Sequence, residues 1–281
     1  MLQQKQQTTT ITFLVLLLFF SSCSTKKKSW VNRQYHNVSA KYNGYFNGNE
    51  SLKSGILKIH KNHKDDYTTI LNVFPETKLE ESKKTQPYMD KAIQKGSIVI
   101  QRHSMKIGGK EYCKWIDDNY LMIGKAYFYK GNFDEAVKTF SFIKNEYNSE
   151  EIKLHASLWL FRSYVEKQDF SSAKKELEEL GSYKKMSKKI KLMLAKTSAD
   201  YYLRSKNFSS AKVELIKSIE LTNGKRNRVR LNYILAQIYQ LENKDAEAKK
   251  YYQTVLKSNP EYEMAFNAKM NIARTLDKGD E

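Results

Sequence analysis

The chain has 281 residues, with 49 Lys and Arg against 31 Asp and Glu, a formal net charge of +18 and an apolar share of 40% that includes 19 Tyr and 13 Phe. That much apolar and aromatic material excludes disorder for the bulk of the chain. Only 3 Pro and 11 Gly leave little turn punctuation, and with abundant Lys, Leu, Ala and Glu the composition points to helices and away from a sandwich or barrel.

At the N-terminus MLQQKQQTTT carries Lys5 and no acid, and ITFLVLLLFF (Ile11 to Phe20) follows it. Roughly ten apolar residues are too few for a spanning helix, which needs about 20, but they suit the core of a signal peptide, with Ser21 and Ser22 as small residues before a cleavage point. Phe20-Ser21-Ser22-Cys23 resembles a bacterial lipobox, with Phe20 where leucine is commoner. The resemblance implies a diacylglycerol on the Cys23 thiol, removal of residues 1–22, and Cys23 as the new N-terminus. The alternatives are an uncleaved anchor or an ordinary signal with an incidental cysteine. Removing residues 1–22 takes away only Lys5, so 48 basic residues would face 31 acidic ones, a net of +17. Ser24 is not the aspartate associated with inner-membrane retention, and Ser24-Thr25-Lys26-Lys27-Lys28 is not an acidic export signal. The expected location is therefore the outer membrane, lipid-anchored and facing the periplasm. Cys113, the second cysteine, is then a free structural thiol.

Residues 23–115 read as an N-terminal helical region. Within 31–60 a decayed helix pair is expected, the first helix ending near Tyr45-Phe46, a turn at Asn47-Gly48-Asn49, and a second helix from Glu50 to His60. NVFPETKLEESKKTQPYMD, bounded by Pro75 and Pro87, reads as a loop before a helix from Met89 to Met105, which Gly108-Gly109 breaks.

From 116 to 281 the chain repeats itself. In NYLMIGKAYFYKGNFDEAVKTFSFI (119–143), Gly124, Tyr127, Gly131, Phe133, Ala136 and Phe140 fall at the offsets of a tetratricopeptide repeat. Here Gly124 lets helix A approach helix B, Tyr127 fills the space between them, Ala136 is the small contact on helix B and Gly131-Asn132 makes the turn. The pattern recurs with Tyr164, Phe170, Ala173 and Leu177, then Tyr202, Phe208, Ala211 and Leu215, then Ala236, Tyr239, Ala248 and Tyr252, with Pro260 after the last helix B. The helix-B alanines are spaced by 37, 38 and 37 residues. The expected fold is all-α, a right-handed tetratricopeptide superhelix of about four repeats plus a final helix from about Tyr262 to Leu276, each repeat burying its neighbour's face.

No nucleophile paired with a base, metal-ligand spacing or phosphate loop is convincing. His60 and His63 are three apart but crowded by lysines. His155, in a repeat's first helix, suits a groove. MKIGGKEY lacks the Gly-Lys-Ser/Thr of a nucleotide loop. No catalytic residue, metal or cofactor is expected.

Residues 181–230 hold 14 basic residues against Asp200, Glu214 and Glu220. They read either as a solvated coat or as the footprint of an acidic partner, lipid phosphate or protein in preference to nucleic acid. The repeat register places Lys125, Arg162, Lys196 and Arg230 on the concave face, one cation per repeat. That ladder reads equally as a clamp for an acidic extended peptide or carboxylate terminus and as a device that keeps an unused groove soluble.

CSTKKKSWVNRQYHNVSAKYNGYFNGNESLKSGI, DDYTTILNVFPE and YCKWIDDNYLMIGKAYFYKGNFDEA together resemble the SprE/PorW family of tetratricopeptide lipoproteins of Bacteroidota, whose members are usually several times longer than this chain. The likeness covers roughly residues 23–147. It implies a non-enzymatic outer-membrane scaffold of type IX secretion and gliding motility whose partners are protein components of that machine. The second reading is a BamD-like lipoprotein of outer-membrane barrel assembly, also built from about five such repeats after a lipobox.

Overall fold

The computed structural model describes residues 24–74 and 79–277; Cys23 and the apolar run before it lie outside the described residues. Ser29 caps the first helix by accepting the Asn32 N–H. From there Trp30–Ser39 (α1), a π-helical segment at Ala40–Tyr45, and Phe46–Asn62 (α2) follow one another without leaving helical backbone. The turn expected at Asn47-Gly48-Asn49 does not form.

The reason lies in spacing. Ala40, Gly44, Gly48, Ser51, Gly55 and Ile59 recur every three or four residues, and all are buried. They form one seam of small side chains. A Cβ on Gly48 would stand 2.6 Å from Met122 Cε, and one on Gly55 would stand 2.5 Å from Met89 Cε. These glycines serve close helix contact, not a turn.

The helix received by that seam, Leu79–His103 (α3), begins about ten residues before Met89 and contains Pro87. The stretch read as a loop up to Pro87 is therefore largely helical. Proline removes one N–H donor and crowds the carbonyl four residues back. Pro87 is exposed, while Thr85, Met89 and Ala92 on the packing side are 1%, 0% and 0% exposed. Burial of that side outweighs the lost bond, and Ser51 Oγ donates to the Tyr88 carbonyl at 2.9 Å across the same interface. The helix stops at His103. Lys106–Ile107 (β1) and Lys110–Glu111 (β2) then pair as an antiparallel hairpin. Gly108 and Gly109 turn it at φ +57° and +78°, the positive pair that a type I′ turn needs. Cys113, buried beside it, is a free thiol that burial pushes up to about 11.

Four helix pairs follow at the expected register: Ile116–Lys130 (α4) with Phe133–Glu146 (α5), Glu150–Glu166 (α6) with Phe170–Ser182 (α7), Lys188–Arg204 (α8) with Phe208–Leu221 (α9), and Lys225–Leu241 (α10) with Asp245–Leu256 (α11). Tyr262–Asp277 (α12) packs on α11. Ala136, Ala173, Ala211 and Ala248 are all 0% exposed, and a Cβ on Gly124 would meet the Phe140 ring at 2.5 Å.

Each first helix ends in the same way. Gly131 takes a left-handed backbone at φ +85°, and Gln168, Lys206 and Asn243 take it at +59°, +59° and +56°. The next residue's N–H then returns to a tyrosine carbonyl: Asn132 to Tyr127, Asp169 to Tyr164, Asn207 to Tyr202 and Lys244 to Tyr239, at 2.8–3.0 Å. This double-bonded helix ending satisfies the last free carbonyls and sets the turn that folds helix B back on helix A.

Candidate functional site: a cationic cavity beside an internal strap

Residues 63–74 follow α2; Lys64, Asp66, Thr68 and Thr69 are exposed, and the end of the segment then turns inward against the first helices of the repeats. Leu71 and Val73, each 3% exposed, join the core around Val229, Leu231 and Tyr233. Their alternation with the half-buried Ile70, Asn72 and Phe74 is the period-two pattern of an extended strand. An extended chain in an interior must find partners for its backbone. Gln237 supplies two, accepting the Leu71 N–H at 2.9 Å and donating to the Thr69 carbonyl at 2.7 Å. Arg230 supplies the third, donating through Nε to the Asn72 carbonyl at 2.7 Å. Its other two nitrogens hold both oxygens of Asp65 at 2.7 Å each, the fork geometry that makes arginine selective for carboxylates.

Beneath this strap lies a cavity of about 580 Å³ lined by Lys125, Arg162, Lys196 and Arg230 together. All four cations expected on the concave face therefore meet at one place, from α4, α6, α8 and α10. Their states differ. Arg230 is engaged by Asp65. Arg162, 6% exposed, is stacked under Phe74 at 3.8 Å and beside Phe128 at 4.7 Å, and Nη1 donates to the Tyr129 hydroxyl at 3.3 Å. Its Nε–H is buried with no acceptor among the described residues.

Lys125 and Lys196 have no ion-pair partner among the described residues. Lys125 stands 5.4 Å from the centre of the Trp159 ring, and burial, reinforced by Lys189 and only partly offset by Asp118, pushes it down to about 8. Lys196 is held below its ordinary value by burial and by the neighbouring Arg162 and Arg230. His60 and His155 also line the cavity, and burial with the surrounding cations lowers both. Among the described residues no carboxylate lines it. His63 Nε2 contacts Asp65 at 2.7 Å, whereas His60 lines the cavity.

The strap with its Phe74, the Trp159 ring and the cavity-lining Lys189 are site features that the repeat register alone does not reveal. The alternation in TTILNVF was the available signal.

An unpaired buried cation is a standing cost. Lys125→Met is expected to raise stability by about 1–3 kcal/mol at pH 7. Because the folded value lies below the unfolded 10.5, the penalty is complete below about pH 8 and vanishes as the pH approaches 10.5. Urea unfolding of both proteins across that range checks the sign.

The family model for the tetratricopeptide repeat matches residues 117–141 and 229–262, which cover α4 with most of α5 and most of α10 with α11. The fold is a tetratricopeptide-repeat superhelix. Comparison with curated proteins returns no match. Tetratricopeptide repeats mediate protein–protein interactions and are typically non-enzymatic scaffolds; no catalytic family is indicated.

Proposed function

We propose that this chain is a lipid-anchored, periplasm-facing scaffold of the bacterial outer membrane that serves type IX secretion and gliding motility by holding an acidic segment of a partner protein in its cationic cavity. The observation that carries this reading is the pair of lysines, Lys125 and Lys196, that have no ion-pair partner among the described residues, in a cavity lined, among those residues, by no carboxylate. The strap supports it, since Asp65 on Arg230 is an internal instance of the same carboxylate recognition. The resemblance of the N-terminal phrases to the SprE/PorW family supports the choice of machine.

Affinity purification from membranes tests it. Components of the type IX machine are expected to co-elute with the wild-type chain, and recovery should fall about tenfold in the Lys125→Ala, Lys196→Ala double variant and in high salt. Barrel-assembly components in their place would favour the BamD-like reading. Recovery unaffected by the double variant would move docking to the exposed lysines between Lys184 and Lys191. Cys23→Ala should release the protein or leave an unprocessed precursor, and a processed, membrane-bound Cys23→Ala protein would refute the anchor.

A further inference from the structure

The first helix is built inside out. Val31, Tyr35, Val38, Tyr42 and Phe46 are 64%, 48%, 54%, 58% and 56% exposed, with Trp30 at 67% beside them. At about 100° per residue, the α-helical Val31, Tyr35 and Val38 fall within roughly 60° of one another, and Tyr42 and Phe46 follow at four-residue spacing, about one π-helical turn each, which continues the apolar stripe. The opposite face, which is buried, carries Asn32, His36, Ala40 and Gly44. Its contacts are polar or close: His36 Nδ1 meets His103 Nδ1 at 2.9 Å, and Ala40 packs with Val99, Met105 and Cys113. The seam of small residues has taken the core-facing side, so the aromatic side faces outward. A contiguous apolar stripe of this kind marks an interaction surface.

The start of the described chain argues for what covers it. The Asn32 amide donates to the carbonyls of Ser24 and Lys27, each at 3.1 Å. This folds residues 24–28 against the beginning of the helix, so the chain leaves toward Cys23 within a turn of Trp30 and Val31. Lys26, Lys27 and Lys28 are exposed at that point. Basic side chains flanking a helix with tryptophan and tyrosine on its apolar side are the composition of a surface lying in the headgroup layer of a bilayer. A lipid on Cys23 would hold the stripe within reach of that layer, since seven residues span at most about 25 Å.

We propose that the stripe from Trp30 to Phe46 lies in the phospholipid headgroup layer and, with the anchor, fixes the orientation of the superhelix on the membrane. This rests on the anchoring at Cys23 put forward above. The test places a benzophenone-bearing amino acid at Tyr42 in the full chain in cells, with the exposed but off-stripe Asn43 as control. Lipid adducts at Tyr42 and none at Asn43 are expected. Protein adducts at Tyr42, or no adduct, would overturn the proposal.

In a second measurement the acylated protein is reconstituted in phosphatidylethanolamine and phosphatidylglycerol vesicles with brominated chains. The quenching attributable to Trp30, read as the difference from Trp30→Phe, should fall at least twofold in the Val31→Glu, Val38→Glu variant. Both positions are exposed, so the fold should hold, and circular dichroism confirms this. Equal quenching would also overturn the proposal. Fatty-acid labelling of Cys23 is scored separately. A labelled chain without lipid adducts refutes the surface alone, whereas an unlabelled chain with lipid adducts refutes the anchor and keeps the surface.

Discussion

Arg230→Ala is expected to lower the unfolding free energy by about 3–5 kcal/mol at pH 7, because it leaves a largely buried carboxylate without its counter-charge. The side chains of Arg230 and Asp65 are only 19% and 12% exposed, and both nitrogen–oxygen contacts are lost at once. The Asn72 carbonyl loses its donor as well, so the strap is released at one end. Burial alone would raise the Asp65 carboxyl, but the hydrogen bonds and charge of Arg230, helped by His63, outweigh it and hold the group below its ordinary 3.8. A depressed carboxylate contributes stability that is present above its unfolded value and lost as the pH falls through the folded one. The deficit of Arg230→Ala should accordingly be greatest above about pH 4 and shrink in stronger acid. Arg230→Lys should fall between the two, since an ammonium cannot bind both Asp65 oxygens and the Asn72 carbonyl in a planar fork. Urea unfolding at pH 7 and pH 3 reads all three, and a loss below about 1 kcal/mol at pH 7 would show that the strap is held by its apolar residues alone.

A comparable loss, about 2–4 kcal/mol, is expected of Gly44→Ala. In an exposed helix the same change gains up to about 1 kcal/mol, so the sign itself is informative. The added Cβ at position 44 would overlap Val99 Cγ2 and lie 3.2 Å from Val99 Cβ, in the seam where α1, α2 and the π-helical segment meet α3. Val99→Ala removes the obstructing methyls, and the Gly44→Ala, Val99→Ala double variant should recover part of the loss, a coupling characteristic of residues in contact. Gly181 is the internal control. It sits near the end of α7 with nothing within 4 Å of a built Cβ, and Gly181→Ala should be neutral or mildly stabilising. If Gly44→Ala behaved like Gly181→Ala under chemical denaturation, the small-residue seam would not be the helix contact described above.

The strap changes what a partner of the concave face would encounter. The groove of α10 is already filled by Leu71 and Val73 and closed by Asp65 on Arg230. The cations without an ion pair among the described residues sit on α4 and α8, where burial lowers Lys125 and Lys196 and only Asp118, acting on Lys125, partly offsets it. Arg162 belongs to both regions, stacked under Phe74 of the strap while lining the cavity. Its removal would therefore disturb fold and site together, whereas the two lysines separate the two effects.

The repeat array was legible in the residues alone. The helix-B alanines and the tyrosines at each helix-A end recur at fixed offsets because local helix pairing needs a small residue on helix B at each crossing, and such a contact is specified within about 40 residues of chain. The concave position of Lys125, Arg162, Lys196 and Arg230 followed from the same register. The remaining features depend on long-range packing. Gly48 reads as a turn in isolation, because whether a glycine bends the chain or admits a neighbour depends on what packs against it, and Met122 is 74 residues away. Pro87 reads as a helix boundary because the local cost is visible in the sequence, while the burial of Met89 and Ala92 that outweighs it is not. The outward face of Tyr35, Val38 and Tyr42 obeys the same logic: periodicity gives a helix one apolar side, and the fold determines which side it turns to the core. Nor could Asp65 be assigned to Arg230 from composition, since the pair is separated by 165 residues and forms only once the superhelix has curved around its own N-terminal strap.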